Sequence, residues 1–117
     1  MGRESNVSRS EIPPGTLYML ILRSLNRLGP MHGYGIAQHI QQLSEDVLQV
    51  EEGSLYPALQ RMLREGWLES EIGTSAKGRP TRIYRLTNSG IQHLEREVVS
   101  FEKMFAGITR VLAAAQA

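Results

Sequence analysis

The sequence contains no cysteine. Disulfide bonds, zinc sites with cysteine ligands and cysteine nucleophiles are therefore excluded. The first 14 residues are polar and lack the apolar core of a signal peptide, and the longest apolar run, Leu17–Leu22, is too short to cross a membrane. These features predict a cytoplasmic protein.

Motifs of common enzyme sites are missing as well. The chain has no G-x-S-x-G nucleophile elbow, no H-E-x-x-H zinc motif and no G-x-x-x-x-G-K phosphate loop. His32 and His39 fall on one predicted helix, but no carboxylates at ligand spacing accompany them. The sequence therefore predicts no catalytic residues, no bound metal and no cofactor.

Lysine is scarce, since only two of the 13 basic residues are lysines and the rest are arginines. The formal net charge is +1, but it is unevenly distributed. Residues 1–60 hold four basic and six acidic side chains, residues 61–90 hold six and three, and residues 91–117 hold three of each. Basic charge is therefore concentrated in the middle of the chain, and such a block usually marks an interaction surface.

The first half of the chain has the apolar spacing of helices. With 117 residues, 41% of them hydrophobic, the chain fits one globular domain. The apolar stripe Leu17, Ile21, Leu25 and Leu28 predicts a helix over Leu17–Leu28, which Thr16 can cap. The apolar stripe Ile36, Ile40 and Leu43 predicts a second helix from His32 or Gly33 to Leu43. Two glycines at the start of the second helix indicate that another group packs closely there.

A third helix and a β-hairpin are predicted next. Ser54 is the expected N-cap of this helix, Pro57 falls in its first turn, and Gly66 ends it. Trp67–Ile72 and Thr81–Leu86 have strand character and enclose a basic turn.

This order of elements predicts a mainly α fold with a small β-hairpin, the winged helix-turn-helix. We expect a flexible N-terminal arm over residues 1–14, a winged helix-turn-helix DNA-binding domain over 15–87 and a C-terminal dimerisation helix over 88–117.

The last predicted helix carries an apolar seam with alternating steps of three and four residues, the spacing of a coiled coil. A helix this long, about 35–40 Å at 1.5 Å per residue, cannot bury the seam on so small a body. A second copy of the chain is the simplest partner. The seam consists of Ile91, Leu94, Val98, Phe101, Phe105, Ile108 and Leu112.

The outer face of the third helix has the residue types of a DNA-reading surface. Arg and Gln can bond to base edges, Tyr and Arg can bind phosphates, and a cationic turn beside them can reach the backbone or the minor groove. The alternative is a solvated helix face followed by a solubilising turn. The candidates are Tyr56, Gln60, Arg61 and Arg64 on the helix, and Lys77, Arg79 and Arg82 on the turn.

Two residues near this surface are open to other interpretations. Arg85 lies deeper in the strand, where it can pair with an acid. Trp67 is the single tryptophan and is expected to pack on the core, with ligand stacking in a dimer cavity as the alternative.

Several short motifs resemble the PadR family of bacterial transcriptional regulators. They are H-G-Y-G-I from residue 32, G-S-L-Y-P-A-L from residue 53, E-G-W-L from residue 65, G-R-P from residue 78 and Y-R-L-T from residue 84, with Gly90 beyond them. The similarity covers residues 15–112, and the single C-terminal helix is similar to the compact subfamily.

The resemblance implies a homodimeric repressor on a palindromic operator in double-stranded DNA, with the third helix in the major groove and the wing on the backbone or minor groove. Ser54, Tyr56 and Pro57 match the family motif at the start of the recognition helix. Some members respond to phenolic acids or lipophilic drugs, which implies an aromatic or lipophilic effector. The candidate ligand residues are Trp67, Phe101 and Phe105, although drug-binding relatives have a tryptophan on the last helix, which this chain lacks.

Two other classes of function also fit the sequence. A winged helix can act as a protein-interaction module, which the low net charge permits. A small ligand-sequestering dimer is the other alternative. A shift of DNA mobility at low salt separates the first alternative from a DNA-binding regulator, and titration of Trp67 fluorescence with aromatic compounds tests the second.

Overall fold

The computed structural model describes residues 12–114 of the chain. Most of the predicted N-terminal arm, residues 1–11, and the last three residues lie outside this range. Between Ile12 and Ala114 the chain forms helices α1 (Pro14–Leu28), α2 (Gly33–Leu43), α3 (Glu52–Arg64) and α4 (Asn88–Ala114), and strands β1 (Met31–His32), β2 (Leu68–Thr74) and β3 (Pro80–Leu86).

The helix α1 forms the centre of the core. The predicted stripe is confirmed for Leu17, Ile21 and Leu25, which are all buried, and Leu28, the last residue of the helix, is 53% exposed. The helix begins at Pro14, a residue suited to a first turn because its missing N–H has no intrahelical acceptor there. The prediction that Thr16 caps this helix is therefore wrong.

The core is completed by side chains from every other helix and from the sheet. In α2 the predicted stripe is only partly confirmed, because Ile36 and Ile40 are buried but Leu43 is 67% exposed. The α3 side chains Leu55, Leu59 and Met62 are buried, and Leu63 is half-buried. The other buried hydrophobic residues are Met19, Leu22, Ala58, Leu68, Tyr84 and Leu94.

The helix α3 begins earlier than the sequence predicts. It starts at Glu52, so Ser54 is its third residue, and the Ser54 N–H donates to the Glu51 carbonyl at 3.0 Å. The prediction that Ser54 is the N-cap is therefore wrong. Pro57 consequently lies in the second turn, where its missing N–H leaves the Gly53 carbonyl without its usual helical donor.

The three strands form an antiparallel sheet in the order β1-β3-β2. The hairpin strands are somewhat longer than predicted, and the turn between them is confined to residues 75–79. Side chains alternate between the two sheet faces. Leu68, Ser70, Arg82 and Tyr84 share the face turned to the helices, whereas Glu69, Glu71 and Arg85 share the outer face.

The helix α4 begins with a side-chain cap. The Gly90 N–H donates to the Thr87 hydroxyl oxygen at 3.0 Å, which satisfies one of the free donors at the helix start. The first part of α4 packs against α1, and Leu94 is buried there. Its 27 residues span about 40 Å, so the second half extends beyond the globular body. None of the helices in the described range is long and apolar enough to cross a membrane.

Candidate nucleic-acid interface

The helix α3 buries one side and exposes the other. Six sequence candidates lie on its exposed sides: Ser54, Tyr56, Pro57, Gln60, Arg61 and Arg64. Because successive residues of an α-helix are rotated by about 100°, these side chains spread over more than one direction. Gln60 and Arg64 point away from the core, and Tyr56 and Arg61 lie on opposite flanks.

Tyr56 occupies the flank of α3 that faces α2. A β-carbon placed on Gly33 would lie 3.1 Å from the Tyr56 ring and 3.3 Å from Leu59. A side chain at position 33 would therefore require Tyr56 and Leu59 to shift by a few tenths of an ångström. The close packing that the sequence predicts at the start of α2 is confirmed, and it holds Tyr56 at the edge of the exposed face.

Tyr56 also lies near the sheet. Burial raises the pKa of the Tyr84 hydroxyl above its usual value, while the charge on Arg82 lowers it and Tyr56 adds a smaller effect in the raising direction. Helix α3 packs directly against β2 of the same hairpin, so α3 and the hairpin are adjacent.

Arg61 occupies the opposite flank of α3, next to α1. Its Nε donates to the Glu65 carboxylate at 3.2 Å, and both side chains are about half exposed. An exposed ion pair of this kind contributes at most about 1 kcal/mol, so Arg61 can exchange Glu65 for a phosphate or a base. Arg61 and Arg64 also line a cleft of about 360 Å³ with Leu17 and Tyr18 of α1.

The β2–β3 hairpin, residues 68–86, forms the wing, and its turn presents two of the predicted cations. The Ser75 N–H donates to the Arg79 carbonyl at 2.7 Å and the Gly78 N–H donates to the Ser75 carbonyl at 2.9 Å, so the turn is closed by its own hydrogen bonds. Lys77 and Arg79 are exposed on it. Arg82 follows on β3, where its guanidinium donates to the Ser70 hydroxyl at 2.9 Å on the face that carries Tyr84.

Arg85 is on the other face of the hairpin. Its guanidinium contacts the Glu69 carboxylate at 3.1 Å and the Glu71 carboxylate at 3.6 Å. The hydrogen bond to Glu69 and the charges of both acids raise the pKa of Arg85. Arg85 thus pairs with two acids of the adjacent strand, which confirms the interpretation that it pairs with an acid.

The sequence candidates missed the exposed side of α2. Tyr34 is 62% exposed, and it lines a cleft of about 400 Å³ with Gln38 and Tyr56. Its ring stacks near the His32 imidazole, whose Nδ1 accepts the Gly35 N–H at 3.1 Å. The helical spacing of Tyr34 and Gln38 was the signal that could have identified this second exposed face.

The three candidate ligand residues lie in different surroundings. The Trp67 indole stacks on the His93 imidazole with ring centroids 3.8 Å apart, so one face of Trp67 is covered. Phe101 and Phe105 stack on each other along α4, with centroids 6.1 Å apart, and both are exposed.

The apolar seam of α4 divides into two parts. Leu94 is 2% exposed, and Ile91 and Val98 are half-buried against the rest of the chain. The exposed fractions then rise to 37% for Phe101 and 60% for Phe105. Ile108 and Leu112, together with the adjacent Met104 and Val111, are also exposed on this outer half of the helix.

Comparison with known proteins finds a matching family profile and several proteins of similar sequence or structure. The sequence profile of the Transcriptional regulator PadR-like family matches residues 21–96. A transcriptional regulator from Clostridium thermocellum is 26% identical over 82% of this chain and 92% of its own, with a TM-score of 0.75. A PadR family transcriptional regulator from Eggerthella lenta is 28% identical over 84% of this chain and 82% of its own, with a TM-score of 0.70. An uncharacterised protein of Lysinibacillus sphaericus is 31% identical over 77% of this chain and 82% of its own.

Proposed function

This chain belongs to the PadR-like family, whose members are DNA-binding transcriptional regulators and not enzymes. From this membership we propose that it is a homodimeric repressor of a palindromic operator. The single observation that carries the proposal is the exposed face of α3 beside the basic wing. We expect the protein to act in the cytoplasm.

The proposed DNA contacts follow from the chemistry of that face. Gln60 and Arg64 point away from the core and address base edges, because glutamine bonds to adenine and arginine to guanine with two hydrogen bonds each. Tyr56 and Arg61, on the two flanks, bind the phosphates at the sides of the groove. Ser54 and Pro57 lie near the N-terminal end of α3, which enters the groove first.

The wing contributes sequence-independent affinity in this proposal. Lys77, Arg79 and Arg82 are on the turn and on the sheet face next to Tyr84 and α3. Their positive charges release counterions from the DNA backbone, which makes binding dependent on salt. Arg85 takes no part, because it lies on the outer face of the hairpin, opposite to the face of Arg82 and Tyr84, where it pairs with Glu69 and Glu71.

The outer half of α4 supports the proposed homodimer. Its apolar residues from Phe101 to Leu112 are exposed in one chain, and a contiguous exposed apolar surface of this kind usually marks an interface. Pairing two copies along this helix buries it symmetrically. The two α3 helices of such a dimer would meet successive major grooves about 34 Å apart.

We include a small-molecule effector in the proposal as an aromatic or lipophilic compound held near Phe101 and Phe105. Such a compound releases the repressor only if it binds the DNA-incompetent form of the dimer more tightly than the competent form. If Trp67 contributes to that site, it contacts the compound with the ring face that His93 does not cover.

The direct test selects binding sites for the full chain from random duplex DNA and then measures the mass of the complex by sedimentation. We expect an inverted repeat bound by two chains. The matched variant Arg64→Ala should lose most of the selected specificity. Absence of any DNA complex, even at low salt, would favour a protein-interaction module, and one chain on a single half-site would contradict the dimer.

A further inference from the structure

Trp67 is bonded through its backbone to two helices at once. Its N–H donates to the Met62 carbonyl near the end of α3 at 3.0 Å, and its carbonyl accepts the Thr87 N–H at 3.1 Å. Thr87 is the cap of α4, and its hydroxyl also donates to the Gly66 carbonyl at 2.7 Å. The start of α4 is therefore attached to the residues that directly follow the recognition helix.

The side chain of Trp67 makes a second connection to α4. The indole and the His93 imidazole lie almost parallel, at an angle of 11° with centroids 3.8 Å apart. The Tyr18 ring of α1 meets the indole edge-on at 6.0 Å. His93 also lies 4.0 Å from the Glu97 carboxylate one turn further along α4. One aromatic side chain thus joins α1, α4 and the end of α3.

Two separated contacts define the direction of a rod, whereas one contact leaves it free to pivot. The Thr87 contact fixes the start of α4, and the His93 stack fixes a point six residues later, about 9 Å along the helix axis. The buried Leu94 also holds this part of α4, through its packing on α1, whereas the aromatic stack joins α4 to the residue that follows α3. The stack is therefore a second contact between α4 and the end of α3, beyond the one at Thr87.

We propose that His93 is a positioning residue: by stacking on Trp67 it fixes the direction of α4 and thereby the separation of the two recognition helices in the dimer. The inference rests on the proposed homodimer. The length of α4 makes the angle important, because a rotation of about 10° displaces a point about 30 Å away by about 5 Å. That displacement exceeds the step of about 3.4 Å between successive base pairs.

A distance measurement between the two copies tests this directly. Because the chain has no cysteine, Gln42→Cys on the exposed end of α2 gives one spin label per chain. In the full-length dimer we expect a narrow distribution of distances between the two labels. His93→Ala should broaden that distribution by about 5 Å, the displacement that a rotation of about 10° produces.

Three further variants separate positioning from general stability. His93→Phe keeps a flat ring over Trp67 and should restore the narrow distribution. His39→Ala removes a half-buried histidine from α2, away from the junction, and should leave the distribution unchanged. His93→Gln keeps a polar side chain near Glu97 but removes the stack. It should also broaden the distribution of label distances, and it replaces His93→Ala if that variant does not fold.

The preferred spacing of the two half-sites in DNA provides a second measurement of the same effect. On selected operators with half-sites moved apart by single base pairs, the wild-type protein should prefer one spacing. His93→Ala should lose about tenfold affinity at that spacing and little on a single half-site. A narrow label distribution and an unchanged spacing preference in His93→Ala would overturn the inference while leaving the dimer intact. Absence of any dipolar coupling in the wild type would overturn the dimer itself and the inference with it.

Discussion

Gly90 lies directly against the backbone carbonyl of Trp67, so close that a β-carbon at position 90 would overlap the carbonyl oxygen and crowd Leu86. The absence of a side chain therefore allows the first turn of α4 to rest on the residue that follows α3. The same approach brings His93, one turn later, over the Trp67 ring.

Gly90→Ala should destabilise the folded protein by about 1–3 kcal/mol, the usual cost of inserting a methyl group into a closely packed site. The matched control is Gly15→Ala in the first turn of α1, where a β-carbon would meet no side chain within 4 Å. That variant should gain up to about 1 kcal/mol from the better helix propensity of alanine. Denaturant unfolding measures both, and equal midpoints for Gly90→Ala and wild type would contradict the close contact.

The wing cations should determine the salt dependence of DNA binding. Lys77→Ala or Arg79→Ala should weaken binding to all sequences and lower the slope of log K against log salt by about one, because each change removes one phosphate contact. Fluorescence anisotropy with a labelled duplex at several salt concentrations gives the slope.

Arg85→Ala is the control for the wing, since Arg85 lies on the outer face of the same hairpin and is paired with Glu69 and Glu71. Its slope should equal that of the wild type. If Lys77→Ala and Arg79→Ala both keep the wild-type slope, the wing does not contact the phosphates.

Gln60 should determine base preference rather than general affinity. It is exposed and points away from the core, and a bidentate contact to adenine distinguishes that base by about 1–3 kcal/mol. Gln60→Ala should therefore relax the selected sequence at one position in each half-site and leave the salt slope unchanged. Gln92→Ala, an exposed glutamine on α4, should alter neither. An identical selected site for Gln60→Ala would remove Gln60 from the base-reading surface.

Much of the fold could be predicted because apolar spacing reflects burial directly. Leu17, Ile21 and Leu25 repeat at helical spacing, and they are buried as that spacing requires. The boundary of α3 could not be predicted in the same way, because Ser54 has the residue type of an N-cap but lies inside a helix that begins at Glu52. The backbone hydrogen bonds to Glu51 decide the boundary, and they depend on how the preceding loop is folded.

The candidate site, like the fold, could be predicted from the sequence only in part. The exposed cations of α3 and the wing could be found from residue type and position, since surface charge requires little knowledge of the packing. The stack of His93 on Trp67 could not be found, because it joins residues 26 positions apart through a sheet and a turn. The same holds for the approach of Gly33 to Tyr56, where the sequence predicted a close contact but not its partner.

The exposed outer half of α4 gives the last prediction, which concerns the dimer. Phe105 is 60% exposed and lies on the predicted seam, so Phe105→Asp would place two charges in the middle of the proposed dimer interface. Burying an unpaired carboxylate is costly, and we expect this variant to sediment as a monomer and to lose high-affinity binding to the inverted repeat. Val99→Asp is the matched control, because Val99 is 66% exposed on the same helix but is rotated well away from the seam. Val99→Asp should therefore remain a dimer at the same protein concentration. A tight dimer of Phe105→Asp, or equal weakening by both substitutions, would show that the seam is not the interface.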